Sequence, residues 1–423
     1  MYLILYNILI TFLWPFYRTL ILYSPKIAEF YNQRVLSLNQ LHDFLNSIPE
    51  DLRPLWLHAS SVGEMDQALG VIRAVKKHHK NQIIILSVFS MSVKNLSHPE
   101  IDFMFRLPLD FFFTWPGIIK KMRPAAFGTM TWDVFPNLLY HLNRQKIPSF
   151  LCSAAIKKTS SRLRFPLLQM YRPVYRKFTG IGAADEENLK SLKMLYDQER
   201  SMSATGDSRY DTILYKINNS KLNPVDQKKL SSLKKNILIL ASTYIADDEA
   251  IYPRLNGILE KRPDWTVLVF PHHVDKKRIK ETEQIAEKYN IQTKRYSSLS
   301  TLSKHRVLIV DKLGVLALAY KFGAIAYVGG AFHHRIHNTS EAAAWGLPVL
   351  TGPRIASSPA ALALQSEEAL ISCETGKLLS SEFEKLMDSA ALRKKIGSSG
   401  KKLVQKQTGS SEIFYRTFLK GLL

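Results

Sequence analysis

Apolar residues along this chain fall into two kinds of run. Some are short and unbroken, as strands buried on both faces require; others place apolar side chains three or four residues apart, as helices require. The first pair is LWLHA (Leu55–Ala59), then EMDQALGVIRAVKKHHK, with Met65, Leu69, Ile72 and Val75 at helical spacing. Lys76, Lys77, His78, His79 and Lys80 crowd the last turn of that helix, where positive charge complements the dipole. IIILSVFS (83–90) follows as a buried strand, which completes a strand–helix–strand unit. Further strand-like runs lie at 125–130, 148–152 and 178–183. Residues 214–236 are polar, basic and without strand character, and then the opening pattern recurs. ILILAST (237–243) leads through a short loop to a helix beginning ADDEAIYPRL, and WTVLVF, RVLIVD and AIAYVGG follow as strands. Each half thus opens with a strand, an Ala-Ser loop and an acidic helix start. The pattern predicts an α/β protein with two Rossmann-like domains, each built on a mostly parallel sheet.

The expected division is an N-terminal segment at 1–34, a first Rossmann-like domain at 35–213, a linker at 214–236 and a second domain at 237–400. A terminal helix at 401–423, containing SEIFYRTFLKGLL, is expected to fold back on the first domain. A chain of 423 residues, 46% hydrophobic and 22% charged, supports two cores.

The N-terminus and the charge add a second theme. Residues 1–17 carry no charged side chain, and Arg18 is the only one before Lys26. That length suits a bilayer, Pro15 and Arg18 interrupt it, and Trp14, Phe16, Tyr17 and Tyr23 suit an interfacial belt. With no basic segment before it and no small-residue cleavage site after it, a membrane anchor is expected, spanning or lying in the interface, rather than a signal peptide. The positive residues after it keep the body of the protein on the cytoplasmic side. Fifty-eight Lys and Arg against 36 Asp and Glu give a net charge of +22, which favours an anionic partner: a membrane face, a phosphorylated substrate or nucleic acid. The stretch 156–178 interleaves Lys157, Lys158, Arg162, Arg164, Arg172, Arg176 and Lys177 with Leu167, Leu168, Tyr171 and Tyr175. It suits anionic head groups, and a solvated helix face accounts for it as well. No recognised nucleic-acid module accompanies it, so nucleic acid is not expected as a partner. Cys152 and Cys373, distant and without metal-ligand spacing, are expected in the core.

Three segments carry candidate chemistry. His58-Ala59-Ser60-Ser61-Val62-Gly63-Glu64 is a strand-to-helix loop of the kind that binds ligands in doubly wound folds. Glu64 at the helix start is expected to be ionised by the dipole and is competent as a base, although spacing alone favours a purely dipole-complementing role. His337-Asn338-Thr339-Ser340-Glu341 has the N-x-x-E spacing of a capping box, closed by Gly346 and Pro348, and a helix start there also suits an anion or ribose. Thr205-Gly206-Asp207-Ser208-Arg209 is a turn beside an Arg, able to meet a phosphate or only to form a salt bridge.

Taken in order, LWLHASSVGE, LPLD (107–110), WDVFPN (132–137), TGDSRYD, LILAST, FPHH, YVGG and HNTSEAAAWGLPVLTGP resemble the 3-deoxy-D-manno-octulosonic acid (Kdo) transferases over nearly the whole chain. The resemblance implies the GT-B architecture, two Rossmann-like domains facing a cleft. It implies an inverting, metal-independent transfer of Kdo from CMP-Kdo to a lipid A precursor (lipid IVA) at the cytoplasmic face of the inner membrane, without a cofactor. It makes Glu64 the base and places Ser60, Ser61, Gly63 and Asp133 on the acceptor side. Arg209, Ser242, Thr243, His272, His337, Asn338 and Glu341 fall to the donor. This sequence departs from the family pattern at Thr131, where one of two carboxylates is lost, at Ser153-Ala154-Ala155, at His272, and at Arg335-Ile336 before His337. Arg335, Lys157 or Lys158 are candidates for the missing charge. Two alternatives stand beside this reading: a two-domain transferase with another nucleotide-sugar donor, and a catalytically idle basic adaptor for membrane or nucleic acid.

Overall fold

The structure, a computed structural model, describes residues 2–197, 201–233, 236–302 and 305–423. Two compact units divide the chain: 1–212 together with 407–423, and 213–406. Each is built on a seven-stranded parallel sheet. The first contains β1 (Leu55–Ala59), β2 (Ile84–Val88), β3 (Phe103–Arg106), β4 (Ala126–Met130), β5 (Ser149–Ala154), β6 (Gly180–Ala183) and β7 (Met202–Ala204), in the order β3-β2-β1-β4-β5-β6-β7. The second contains β8 (Asn236–Thr243), β9 (Trp265–Pro271), β10 (Thr293–Arg295), β11 (Val307–Ile309), β12 (Ile325–Val328), β13 (Val349–Thr351) and β14 (Leu370–Ser372), in the order β10-β11-β9-β8-β12-β13-β14. The two strands that opened the recurring sequence pattern, β1 and β8, are where strand order reverses. β1 lies between β2 and β4, and β8 between β9 and β12.

Burial explains why these runs became strands. β1, β2, β4 and β9 are buried at every position, because helices cover both faces of a parallel sheet. In the first domain one face packs on a cluster containing Trp56, Phe105, Trp115, Phe127 and Tyr175. The other packs on the helix Val62–His78 and on the tail, through Leu69, Ile72, Phe414, Tyr415 and Leu419. The tail is fixed by Asp211, whose carboxylate accepts the N–H groups of Gly409 and Ser411 at 2.6 and 2.7 Å, and by a 2.8 Å bond between His79 Nε2 and the Tyr415 hydroxyl. The preceding helix, Ala390–Lys406, belongs to the second domain. Cys152 and Cys373 are both buried and free.

The stretch 214–236 is largely helical within its described residues. One helix runs Arg209–Asn219, and a second, Pro224–Ser231, buries Asp226 and Leu230 one turn apart. Asp226 accepts from the Tyr296 hydroxyl at 3.0 Å and Lys312 Nζ at 2.6 Å, so the segment is packed into the second domain rather than strung out as a linker.

The helix Tyr2–Tyr23 is, among the described residues, the one helix long and apolar enough by length and composition to cross a membrane. None of its residues is fully buried, and Ile4, Ile8, Phe12 and Phe16 are exposed. Its opposite side meets the first domain. The Tyr6 hydroxyl donates to Asp110 Oδ2 at 3.0 Å, Asn7 Nδ2 donates to Asn137 Oδ1 at 2.9 Å, and Trp14 packs edge-on against Phe111.

Asp110 has a wider role. Its buried carboxylate also accepts Trp115 Nε1–H at 2.6 Å and the backbone N–H groups of Asn137 and Leu138, both at 3.0 Å. It thereby caps the helix Pro136–Arg144 from a distant loop, supplying acceptors that the helix start lacks. Asp110→Ala leaves these donors buried and unpaired and is expected to cost about 2–5 kcal/mol. Urea denaturation checks this: the midpoint should fall with the slope unchanged, and Asp110→Asn should lose less.

Candidate active site

The loops at the two points of reversal hold most of the residues singled out from sequence. Both sit at the C-terminal ends of parallel strands, where backbone groups are unpaired and a ligand can enter.

In the first domain, β1 ends at Ala59, Ser60 and Ser61 form the turn, and the helix Val62–His78 begins. Glu64 occupies the first turn of that helix and is only 7% exposed. The Ser61 hydroxyl donates to Glu64 Oε2 at 3.0 Å. The loop after β4 brings Asp133 to the same place. Burial, and then the Asp133 carboxylate, push Glu64 up to about 7, against bonds from Ser61 and the charge of Arg209. This corrects the expectation of a dipole-ionised carboxylate: the dipole is present, but desolvation and a like charge outweigh it. Asp133 is also raised by burial, while the Ser60 hydroxyl and N–H bonds and the Arg162 charge hold it down. Its Oδ2 is buried and unpartnered.

Gly63 leaves room beside this pair. A Cβ placed there meets nothing but Ser61 Oγ, at 4.0 Å, so the fold itself does not need glycine at this position. Arg209, assigned to the donor from sequence, lies in the first domain, close enough to Glu64 to lower it, with its Nε buried and unpartnered.

Around the pair runs a hydrogen-bonded network that the sequence did not reveal. Gln67, one turn beyond Glu64, accepts from the Thr131 hydroxyl at 2.7 Å and donates to Asp207 Oδ1 at 2.9 Å. The Ser208 hydroxyl donates to the Gln67 carbonyl, and Ser153 Oγ lies 3.0 Å from Ser208 Oγ. Two departures from the family pattern, Thr131 and Ser153, are therefore engaged in amide and hydroxyl bonds. Both adopt left-handed backbone, with φ of 60° and 49°, which is costly for a β-branched residue such as Thr131. Arg162 donates to the Trp132 carbonyl at 2.9 Å, which turns one residue of the basic aromatic stretch toward the Asp133 loop.

In the second domain, β8 ends in Ser242, again left-handed at φ 53°, and the buried Thr243. The Thr243 carbonyl accepts from His272 N and Arg278 Nη2. Asp247, in the first turn of the following helix, accepts from Tyr244 N at 2.8 Å and Gly330 N at 2.9 Å, tying the β8 and β12 exits together. Gly330 has φ +96°, and a Cβ there would lie 2.3 Å from the Arg335 carbonyl, so this loop requires glycine.

His337 stacks on His272 with ring centroids 4.3 Å apart, and on Tyr244 at 5.5 Å. Tyr244, not singled out from sequence, also contacts His272 and His333. Burial first, then neighbouring positive groups, lower both His272 and His337 to about 4, so both rings are neutral at neutral pH. The capping box expected of Asn338 and Glu341 does not form. The helix starts one residue later, at Ser340, and Asn338 Oδ1 accepts the Ser340 N–H at 3.0 Å. Glu341 is thereby left to meet Lys216 Nζ, 4.0 Å away. Among the described residues, no group of three His, Cys, Asp or Glu side chains is arranged to hold a metal ion.

Comparison with known proteins gives three findings. A family described as 3-deoxy-D-manno-octulosonic-acid transferase (kdotransferase) matches residues 31–212. The chain is 26% identical to the 3-deoxy-D-manno-octulosonic acid transferase of Haemophilus influenzae, over 84% of each chain. Among solved structures, UDP-GlcNAc 2-epimerase from Neisseria meningitidis bound to UDP-GlcNAc superposes with a TM-score of 0.61 at 12% identity, covering 87% of this chain and all of that one. MurG of Acinetobacter baumannii superposes with a TM-score of 0.54, also at 12% identity, covering 87% and 99%. These structural likenesses establish the two-domain GT-B fold.

Two expected outcomes follow from the first-domain geometry. Asp133→Asn removes the like charge and moves the Glu64 titration to lower pH, readable in the 13C carboxyl signal. Gly63→Ala keeps stability within about 1 kcal/mol, since the position is helical and open. It nonetheless lowers turnover roughly ten- to a hundredfold by displacing substrate, which a thermal melt and a rate measurement separate.

Proposed function

We propose that this chain, a homologue of the Kdo transferases across most of its length, moves Kdo from CMP-Kdo to a lipid A precursor, with lipid IVA as acceptor. The single observation that carries the chemistry is the buried Glu64 beside Asp133, raised to about 7. A carboxylate with that affinity for protons is well matched to take one from an acceptor hydroxyl at neutral pH. Attack of the resulting alkoxide on the anomeric carbon, as CMP departs, inverts that centre. Ser60, Ser61 and Gly63 border the acceptor hydroxyl, and Arg209 stabilises negative charge as it develops.

The donor falls to the second domain. Ser242, Thr243 and the start of the helix Ile245–Glu260 receive phosphate, while Asn338 and Glu341 receive the ribose. The His272 and His337 rings, neutral at neutral pH, offer N–H donors and stacking surface to the nucleotide. The exposed apolar side of the helix Tyr2–Tyr23 and the net charge of +22 support docking on the cytoplasmic face of an anionic inner membrane, where a phosphorylated lipid acceptor resides.

The decisive experiment incubates the protein with lipid IVA and CMP-Kdo generated in situ, and follows the lipid by mass spectrometry. Addition of the mass of Kdo by the wild type, lost at least a thousandfold in Glu64→Gln (about 4 kcal/mol of barrier) with an unchanged circular dichroism spectrum, is the expected result. Bound CMP-Kdo without transfer would reject this acceptor. Because the base acts when ionised, kcat/KM should rise with pH through about 7 and level off above it.

A further inference from the structure

A helix that only meets lipid needs no polar partner inside the protein, yet in Tyr2–Tyr23 both Tyr6 and Asn7 have one. Tyr2, Tyr6, Asn7, Trp14 and Tyr17 recur at helical spacing on its half-buried side, while Ile4, Ile8, Phe12, Phe16 and Leu20 form the exposed stripe. Asn7 and Asn137 make a closed amide pair. Asn7 Nδ2 donates to Asn137 Oδ1, and Asn137 Nδ2 donates to Asn7 Oδ1, both at 2.9 Å. One residue earlier, the Tyr6 hydroxyl donates to Asp110 Oδ2 at 3.0 Å.

What these two side chains hold is the start of another helix. Asn137 is fully buried, and besides Asn7 its Nδ2 meets the Asp110 carbonyl at 2.5 Å. The helix Pro136–Arg144 has no side-chain cap at Phe135, so Asp110 and Asn137 fix its first turn, and Tyr6 and Asn7 complete their bonding. Directly before that turn lies the loop carrying Asp133. Its other end is tied to β4: the Asp133 N–H donates to the Met130 carbonyl, and Thr129 Oγ1 donates to the Asp133 carbonyl, both at 3.2 Å. Phe135 closes the loop against the rings of His58 and Phe89. The loop is thus strung between a strand end and a helix start, and the helix start depends on the N-terminal helix.

We propose that Tyr6 and Asn7 are positioning residues, which fix the start of the helix Pro136–Arg144 so that the preceding loop keeps Asp133 beside Glu64. The helix Tyr2–Tyr23 is then part of the first-domain site on one side while its other side meets lipid. Its bonding also opposes a span detached from the domain. Such a helix would strip Asp110 and the buried Asn137 of partners and carry Asn7 unpaired into hydrocarbon. The charged groups facing Glu64 are Asp133 and Arg209, and Arg162 faces Asp133. The effect on catalysis rests on the proposed role of Glu64 as base; the placement of Asp133 does not.

The full chain carrying Asn7→Leu separates positioning from anchoring, because leucine keeps the bulk and the apolar stripe but cannot pair with Asn137. Vesicles of phosphatidylethanolamine and phosphatidylglycerol should sediment the variant as they do the wild type. In protein labelled with 13C-glutamate, with Glu64 assigned by difference from Glu64→Gln, the Glu64 titration should move to lower pH by roughly one pH unit, as a like charge draws away. Turnover should fall roughly ten- to a hundredfold with the acceptor KM little changed, and Asn7→Gln, which keeps an amide, should recover most of it. Should Asn7→Leu not fold, Tyr6→Phe, which deletes one hydroxyl, carries the same test with a smaller shift in the same direction. A folded variant with the wild-type Glu64 titration overturns the inference, as does a loss of turnover that only tracks lost vesicle binding. If the wild type transfers no Kdo, the proposed function falls while the titration still decides the placement of Asp133.

Discussion

Two carboxyl groups held out of water within reach of each other are the constraint that organises the first domain. A lone buried carboxylate takes up a proton to escape its desolvation cost; two together share that problem, because ionising one raises the other. Everything near Glu64 and Asp133 moderates this conflict. Ser61 and Arg209 stabilise the first, Ser60 and Arg162 the second, and Gln67, Thr131, Ser153 and Ser208 fix the loops that carry them. The outcome is one carboxyl group poised near neutrality. Strand ends of a parallel sheet suit such a device, because the remainder of the sheet, buried on both faces, can hold little that is polar.

The second domain handles polarity differently. Its reversal point gathers neutral rings, Tyr244, His272 and His337, over a rigid base in which the Asp248–Arg278 pair is buried at 2.6 Å. Charge is kept beneath the loops and neutral donors at their surface. Asp247, bonded to two loop N–H groups and to the Tyr327 hydroxyl, leaves those loops little freedom. Such preorganisation suits the nucleotide donor proposed for this domain, which would bind without rearranging the loops.

The fold was legible in the sequence because a buried parallel strand leaves an unbroken apolar run, and β1, β2, β8 and β9 each left one. The short strands at sheet edges, β7, β10 and β14, did not, for three residues carry too little pattern. Among site residues, position was easier to read than state. Glu64 could be placed at a helix start, but its proton affinity depends on Asp133, nearly seventy residues away and brought near only by the sheet. The capping box failed for a local reason: spacing cannot tell a cap from a turn bond one residue earlier, and Asn338 makes the latter. Gln67 and Tyr244 gave no signal because neither residue type is unusual at its position in a helix or loop. Their roles lie in partners 64 and more than 25 residues distant.

The way the tail completes the first core has a consequence for biosynthesis. Phe414, Tyr415 and Leu419 cover the same face of the first sheet as the helix Val62–His78. On a ribosome the first two hundred residues, that helix among them, emerge long before the tail does, so the part of the face that the tail covers must wait while the whole second domain is translated. The order of folding then runs against the order of synthesis: the later domain is free to finish first. During that interval the nascent first domain presents apolar surface that a chaperone, or a nearby lipid bilayer, would have to shield.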